Sequence, residues 1–339
     1  MSISGVVGIF IFDFEPQSSG IAHVKSSLAL IAPCLEPPIL ARLYYDPLSR
    51  GISWDNLNLV VHWHKDFYNY RINLSVMELG LKNKVAIIGG SSSGIGKAVA
   101  FALAEEGCRI VLCGRDLANL VKAKKEIASK FSTEILAVKV DQSNSLDIKR
   151  LVKTVMSKFG RIDILITNTG GPKPGSFFDV SEKDWLVAHE SLFLYVVRIY
   201  NEVIPIMKKQ NFGRIINDTS FTVKEPVESL VLSNVYRTAV ISLAKTLSRE
   251  LGRYNITINN ICPGFVDTDR LKEIFEARAK KENISVKDVY GKVIEGMPIG
   301  RLEKPEEIAV MVAFLASEKA SSITGSTINV DGGLMRGLV

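Results

Sequence analysis

From residue 84 onward the chain alternates short, continuously apolar runs with helix-length amphipathic segments, and this alternation constrains the fold more than any other feature. A strand covered on both faces loses the apolar–polar alternation of a half-solvated strand and reads as unbroken Val, Ile, Leu or Cys. Such runs predict strands over 85–88, 109–113, 135–140, 162–166, 214–217, 257–262 and 327–330. Segments with a helical period predict helices over 95–106, 118–130, 146–159, 184–210, 234–253, 270–282 and 305–316, with Gly107 and Gly160 closing two of them. Helices between apolar strands imply crossover connections and a parallel sheet packed on both sides. The expected fold class is α/β, a doubly wound parallel sheet of Rossmann type.

The chain changes character near residue 77. Residues 1–76 carry five of the 12 prolines and 11 of the 78 charged residues, and show no sustained helical or strand period. Residues 77–339 are expected to form one domain, beginning at Met77 and leading directly into the first strong strand. Two readings of residues 1–76 stay open: an N-terminal extension of unknown role that packs on the domain or a partner, or a poorly ordered product of a misassigned start at Met1 with Met77 the true beginning.

Composition excludes several classes. The net charge of +6 is spread along the chain without a basic stripe interleaved with aromatics, so nucleic-acid binding is not expected. No run of about eighteen apolar residues marks a membrane span. The opening apolar run has no cationic segment before it and makes a poor signal peptide. Cys34, Cys108, Cys113 and Cys262 lack metal-ligand spacing and read as reduced thiols, which suits a cytoplasmic protein. His62 and His64 flank Trp63 without further ligands nearby, so no metal site is expected.

After the first strand comes Gly89-Gly90-Ser91-Ser92-Ser93-Gly94-Ile95-Gly96. Glycines at a strand-to-helix turn let the backbone approach a pyrophosphate, which the free N–H groups of the helix start attract. Gly90, Ser92, Gly94, Ile95 and Gly96 are therefore candidate cofactor contacts.

The spacing Gly90-x-x-x-Gly94-x-Gly96 resembles the cofactor turn of short-chain dehydrogenases/reductases, and the resemblance covers residues 77–339. Asn168-Thr169-Gly170 resembles the family's Asn-Asn-Ala-Gly motif, which marks Asn168 and Gly170. The run from Pro263 to Thr268 resembles its nicotinamide-amide loop, so Pro263, Gly264, Val266 and Thr268 join the expected cofactor set. Asp141 matches the contact to the adenine amino group. The tail from Ile323 to Gly333 also matches. At the end of the second strand an acidic residue would bind the ribose 2′-hydroxyl and repel a 2′-phosphate. Gly114 stands there, followed by Arg115, whose planar fork suits phosphate, so NADP(H) is expected over NAD(H).

The family's usual machinery is Ser, Tyr and Lys, the last two spaced Tyr-x-x-x-Lys, with a supporting Asn. Aligning the apolar stripe Val240, Leu243, Ala244 and Leu247 puts Ser233 at the Tyr position and Arg237 at the Lys position. Ser220 stands where the catalytic Ser belongs, and Ser191 is assigned the supporting Asn position. Tyr236 fits only a shifted register that rotates the stripe out of the core. Arg237 can bind ribose hydroxyls and stabilise developing negative charge, but it carries no transferable proton. Lys173, between Pro172 and Pro174, is an exposed lysine or a contact for an anionic substrate. The resemblance implies an NADP(H)-dependent oxidoreductase interconverting a carbonyl and an alcohol, similar to 3-oxoacyl-acyl carrier protein reductases, on a small-molecule substrate and as a homodimer or homotetramer. The alternative is a catalytically silent dinucleotide-binding protein, either a redox sensor or an assembly partner.

Overall fold

The computed structural model describes residues 27–30, 39–42, 59–60, 71–72 and 78–338. The chain divides into two units, Met1–Glu78 and Leu79–Val339. In the first, β1 (Ser27–Leu30) pairs antiparallel with β2 (Ile39–Arg42), and β3 (Leu59–Val60) with β4 (Arg71–Ile72). Cys34, His62, His64 and Met77 lie outside the described residues.

The second unit is built on seven strands: β5 (Val85–Ile88), β6 (Arg109–Gly114), β7 (Ile135–Lys139), β8 (Ile164–Thr167), β9 (Gly213–Asp218), β10 (Ile256–Pro263) and β11 (Thr327–Val330). They pair in the order β11-β10-β9-β8-β5-β6-β7, and every pair is parallel. The doubly wound fold expected from the apolar runs is what forms. The chain travels outward from β5 to β7 and then returns to β8 on the other side of β5. That reversal leaves a crevice beyond the carboxyl ends of β5 and β8, where such sheets bind ligands.

Two cores cover the sheet. On one face, α1 (Gly94–Glu105), α2 (Leu117–Ala128) and α9 (Pro305–Ala316) bury Val99, Leu103, Leu120, Ile127 and Val312 against Ile88, Ile110 and Ile216. On the other, α3 (Ser145–Phe159), α5 (Tyr195–Gln210) and α6 (Val231–Leu251) bury Ile148, Val155, Ile199, Val203 and Val240 against Ile87, Leu165 and Ile215. Each such side chain contributes about 1.5–3 kcal/mol of apolar burial. Local chemistry sets the helix ends. Asn144 accepts hydrogen bonds from the Leu146 and Asp147 amides to start α3, and Gly160 ends it at φ 71°.

The single helix expected over 184–210 is more structured than that. It is α4 (Glu182–Ala188), a π-helical turn at His189–Leu194, and then α5. Beyond β10, α7 (Asp269–Glu282) and α8 (Val286–Glu295) pack on each other through Leu271, Phe275, Val289, Val293 and Met297, a small core separate from the two on the sheet. The helix over 286–295 had no counterpart in the sequence reading.

Candidate active site

A cleft of two adjoining cavities runs along the carboxyl edge of the sheet, sharing Thr169 and Gly170 on its rim. One end is formed mainly by backbone. Gly90 and Gly94 both adopt φ +54°, which L side chains rarely reach. A Cβ on Gly96 would run into the Gly90 carbonyl and the Asn168 side chain, so the α1 start can approach the turn only as glycine. The buried Ser91 hydroxyl donates to the Ile88 carbonyl (2.9 Å) and accepts from the Cys113 amide (3.0 Å), clamping the turn to β6. Asn168 Nδ2 donates to the Gly89 and Gly90 carbonyls at 3.1 and 3.3 Å. It therefore acts as a strut between β8 and the turn, with its own edge on the cavity. Gly90, Ser93, Gly94 and Ile95 line the cavity, whereas the expected Ser92 does not.

The segment Pro263–Thr268 forms the facing wall. Pro263, Gly264, Val266 and Thr268 all line the cavity. Thr268 caps α7 through its Oγ1, and its methyl packs where a Cβ on Gly94 would be tightly met. Beneath this wall lies a group that the sequence reading missed. Glu303, 3% exposed, accepts the Gly264 amide at 3.0 Å through Oε2, while its other oxygen has no partner among the described residues. Burial pushes the Glu303 carboxyl up to about 7. Its only sequence signal is an acidic residue just before a helix, which ordinarily reads as exposed.

The second cavity is lined by Arg115, Asp141, Gln142, Ser143, Leu186, Val187, Glu190 and Ser191 along with the shared rim. Arg115 is exposed at the end of β6 and forms no salt bridge among the described residues. The neighbouring Asp116 is occupied otherwise: its carboxylate caps α2, accepting from the amides of Ala118 (2.9 Å) and Asn119 (3.1 Å) and from the Asn119 side chain. Asp141 accepts from the Ser143 hydroxyl at 2.6 Å and from its amide at 3.0 Å. These bonds, helped by Arg115, hold the Asp141 carboxyl below its ordinary range. The residues present therefore fit a dinucleotide. A backbone cradle stands at the start of α1, a cation without a salt bridge among the described residues stands at the end of β6, and the carboxylate next to it in sequence is turned into a helix cap.

At the other end Ser220, Ser233 and Arg237 share one cavity of about 290 Å³. Ser220, two residues beyond β9, caps the following turn by accepting the Thr222 amide at 3.2 Å, while the buried Ser233 hydroxyl meets that of Thr222 at 3.3 Å. Arg237 Nη1 donates to the Asp218 backbone carbonyl at 2.7 Å. The shifted register fails, because Tyr236 packs edge-on against Trp185 (5.8 Å between centroids) and beside His189 (5.5 Å), outside the cavity lining. Ser191 also requires correction. Its hydroxyl donates to the Val187 carbonyl at 2.8 Å and it lines the Arg115 cavity, away from Ser220 and Arg237. The π-helical turn is wider than an α-turn and re-aims its side chains. Leu192 is the residue turned inward, toward Asp218, Thr219 and Arg237. Lys173 pairs with Asp184 at 2.7 Å. Arg270 bridges the cavity mouth instead, donating to the Pro172 carbonyl at 2.6 Å.

One further residue of this cavity escaped the sequence reading. Asp218 is 7% exposed, lines both the reaction cavity and the small hollow behind it, and its carboxyl has no hydrogen-bond partner among the described residues. Burial pushes it up to about 6, and only the Arg237 charge pulls the other way. The expected strand stopped at Asn217, one residue short. Asp218, Thr219 and Ser220 all line the cavity where β9 gives way to the following turn.

Residues 90–335 match the family described as Enoyl-(Acyl carrier protein) reductase. The NADPH-dependent reductase BacG of Bacillus subtilis (strain 168) is 32% identical over 259 residues, covering 76% of this chain and 100% of that protein. The 3-oxoacyl-[acyl-carrier-protein] reductase FabG of Thermotoga maritima is 32% identical over 260 residues, 75% of this chain and 99% of that one. Among solved structures, L-sorbose reductase from Gluconobacter frateurii, complexed with NADPH and L-sorbose, superposes with a TM-score of 0.73 at 33% identity, over 77% of this chain and 100% of that chain. The chain, with its parallel sheet and glycine-lined turn, belongs to the short-chain dehydrogenase/reductase family of oxidoreductases and resembles its 3-oxoacyl-acyl carrier protein reductases.

Proposed function

We propose that this chain is an NADP(H)-dependent oxidoreductase that interconverts a carbonyl and an alcohol on a small molecule, with an altered proton-donor site. The observation that carries the reading is the pairing of an intact glycine cradle with a free Arg115 beside a capped Asp116. When bound, the nicotinamide supplies or accepts the hydride. The chain's own residues bind, orient and stabilise. The α1 start offers backbone N–H groups to the pyrophosphate, and Arg115 meets the 2′-phosphate with its planar fork. Thr268 and the Gly264 wall hold the ring end of the cofactor. Ser220 donates a hydrogen bond to the substrate oxygen, and the Arg237 guanidinium stabilises the negative charge growing there.

Ser233 is the weak link. A serine hydroxyl is a far weaker and shorter acid than the phenol it replaces, and losing a positioned general acid costs about 10²–10⁴ in rate. That amounts to roughly 3–5.5 kcal/mol of barrier. The same replacement favours the second reading, a silent dinucleotide-binding protein. The test titrates the full chain with NADPH and NADH by fluorescence and follows cofactor oxidation over ketones, ketoses, aldehydes and acyl thioesters. Turnover with NADPH supports the enzyme; tight NADPH binding without oxidation across the panel supports the silent binder. A homodimer or homotetramer, as the fold suggests, is checked by light scattering of the same sample, and a cytoplasmic location by fractionation.

A further inference from the structure

We infer that Asp218 is the residue that carries the catalytic proton in this chain, taking the part left open by Ser233. The inference rests on the oxidoreductase reading above.

Ser220, Ser233, Thr219 and Thr222 hold their protons too tightly to act as acids at neutral pH, and Arg237 never gives one up. Tyr236 is directed away, into the aromatic stack with Trp185 and His189. Of the titratable groups that face Asp218, α6 contributes Arg237 and β10 contributes Cys262, whose thiol burial pushes up. The α7 start adds Asp269 and Arg270 at the cavity mouth. From β8 and the π-helical turn come only Thr167, Thr169 and Leu192, which carry no charge. Among the described residues Asp218 is thus the one carboxyl whose residue is buried in the wall of the reaction cavity, Asp269 standing at its mouth, and it accepts no hydrogen bond from them. Its oxygens face the cavity, where a substrate oxygen can reach them. Burial favours the protonated form, with its ionisation moved up to about 6, while Arg237 stabilises the carboxylate left after the proton departs. An acid is most effective when its pKa lies near the working pH.

In the reducing direction the carbonyl carbon receives the hydride and its two electrons from the reduced nicotinamide. The carbonyl π bond breaks toward oxygen, the Asp218 Oδ–H bond breaks, and an O–H bond forms on the substrate. Asp218 is left as a carboxylate opposite Arg237 and takes a proton back from solvent through the cavity mouth. Alcohol oxidation runs the same steps in reverse, with the carboxylate as base.

The test uses the full chain with 13C-labelled aspartate carboxyls, titrated by NMR with and without NADPH, alongside Asp218→Asn and Asp218→Glu. We expect one carboxyl to titrate near pH 6 in the wild type and to be missing in Asp218→Asn. Asp218→Asn keeps its circular dichroism and binds NADPH within about threefold, yet loses roughly 10²–10⁴ in turnover. Wild-type reduction should fall as pH rises through about 6, a dependence lost in Asp218→Asn and partly restored by Asp218→Glu. An Asp218 carboxyl that titrates in the ordinary range overturns the inference, as does an Asp218→Asn enzyme with wild-type turnover and pH profile. Loss of NADPH binding in Asp218→Asn also overturns it, by assigning Asp218 to holding the cofactor. A wild type that oxidises no NADPH on any substrate overturns both this role and the proposed function. Turnover in a wild type indifferent to Asp218→Asn overturns this role alone.

Discussion

The two ends of the cleft are held by different kinds of structure. At the Gly90–Gly96 end the shape is a property of the backbone: positive φ at Gly90 and Gly94, a contact at Gly96 that admits no Cβ, and amides at a helix start. At the Ser220–Arg237 end the same fold presents side chains. A backbone site tolerates little variation, because any side chain introduces a clash or a strained φ. A side-chain site can be rewritten one residue at a time without disturbing the sheet. Cofactor recognition and chemistry are therefore separable in this molecule, and substitutions can probe each alone.

The comparison is tested most severely by Arg237→Ala. This variant removes the cation beside buried Asp218, leaving Arg270 at the mouth, so turnover should fall by roughly 10²–10³, as for other lost electrostatic stabilisers of the transition state. Steady-state kinetics should place the fall in kcat, with NADPH affinity changed far less. A loss confined to affinity would show that the two ends are not separable. At the opposite end Gly96→Ala forces a Cβ into the Gly90 carbonyl and Asn168. Overpacking of this kind costs about 1–3 kcal/mol, or roughly 5–150-fold in NADPH affinity by fluorescence titration. Unchanged affinity there would mean that the cradle is not the binding element.

Arg115→Ala sharpens the contrast within the cofactor itself. A charge-assisted hydrogen bond to phosphate contributes about 1.5–3 kcal/mol, so NADPH binding should weaken by roughly 10–150-fold, with NADH binding nearly constant. Equal weakening of both cofactors would remove Arg115 from phosphate recognition.

The smallest effect concerns Glu303, which supports the Gly264 wall from below. Its folded carboxyl is raised to about 7 from an ordinary 4.5, so between those values the folded state binds more protons than the unfolded state. Stability should therefore fall as pH rises from about 4.5 to about 7 and then level off, by about 1.4 kcal/mol per pH unit at most for one proton. Asp218 adds a decline of the same sign below about 6. Thermal melts of Glu303→Gln at pH 5 and pH 7.5 should show a smaller difference than the wild type. An unchanged difference would place Glu303 outside the titration.

The sequence alone determined the seven parallel strands, because burial on both faces leaves an unbroken apolar run, and it determined the glycine cradle, because only glycine meets those backbone demands. The apolar stripe Val240, Leu243, Ala244 and Leu247 likewise fixes the rotation of α6 against the core, with Ser233 and Arg237 turned to the cavity. Tertiary structure decided what depends on neighbours distant in sequence. Within the π-helical turn Ser191 faces the Arg115 cavity and Leu192 the hollow behind Asp218, an orientation that no local preference announces. Asp116 beside Arg115 has its carboxylate oxygens taken up by the start of α2, which no local pattern fixes by itself. Glu303 and Asp218 read as ordinary surface acids in a linear string. Their ionisation is set by desolvation, which exists only once strands from across the chain have closed over them.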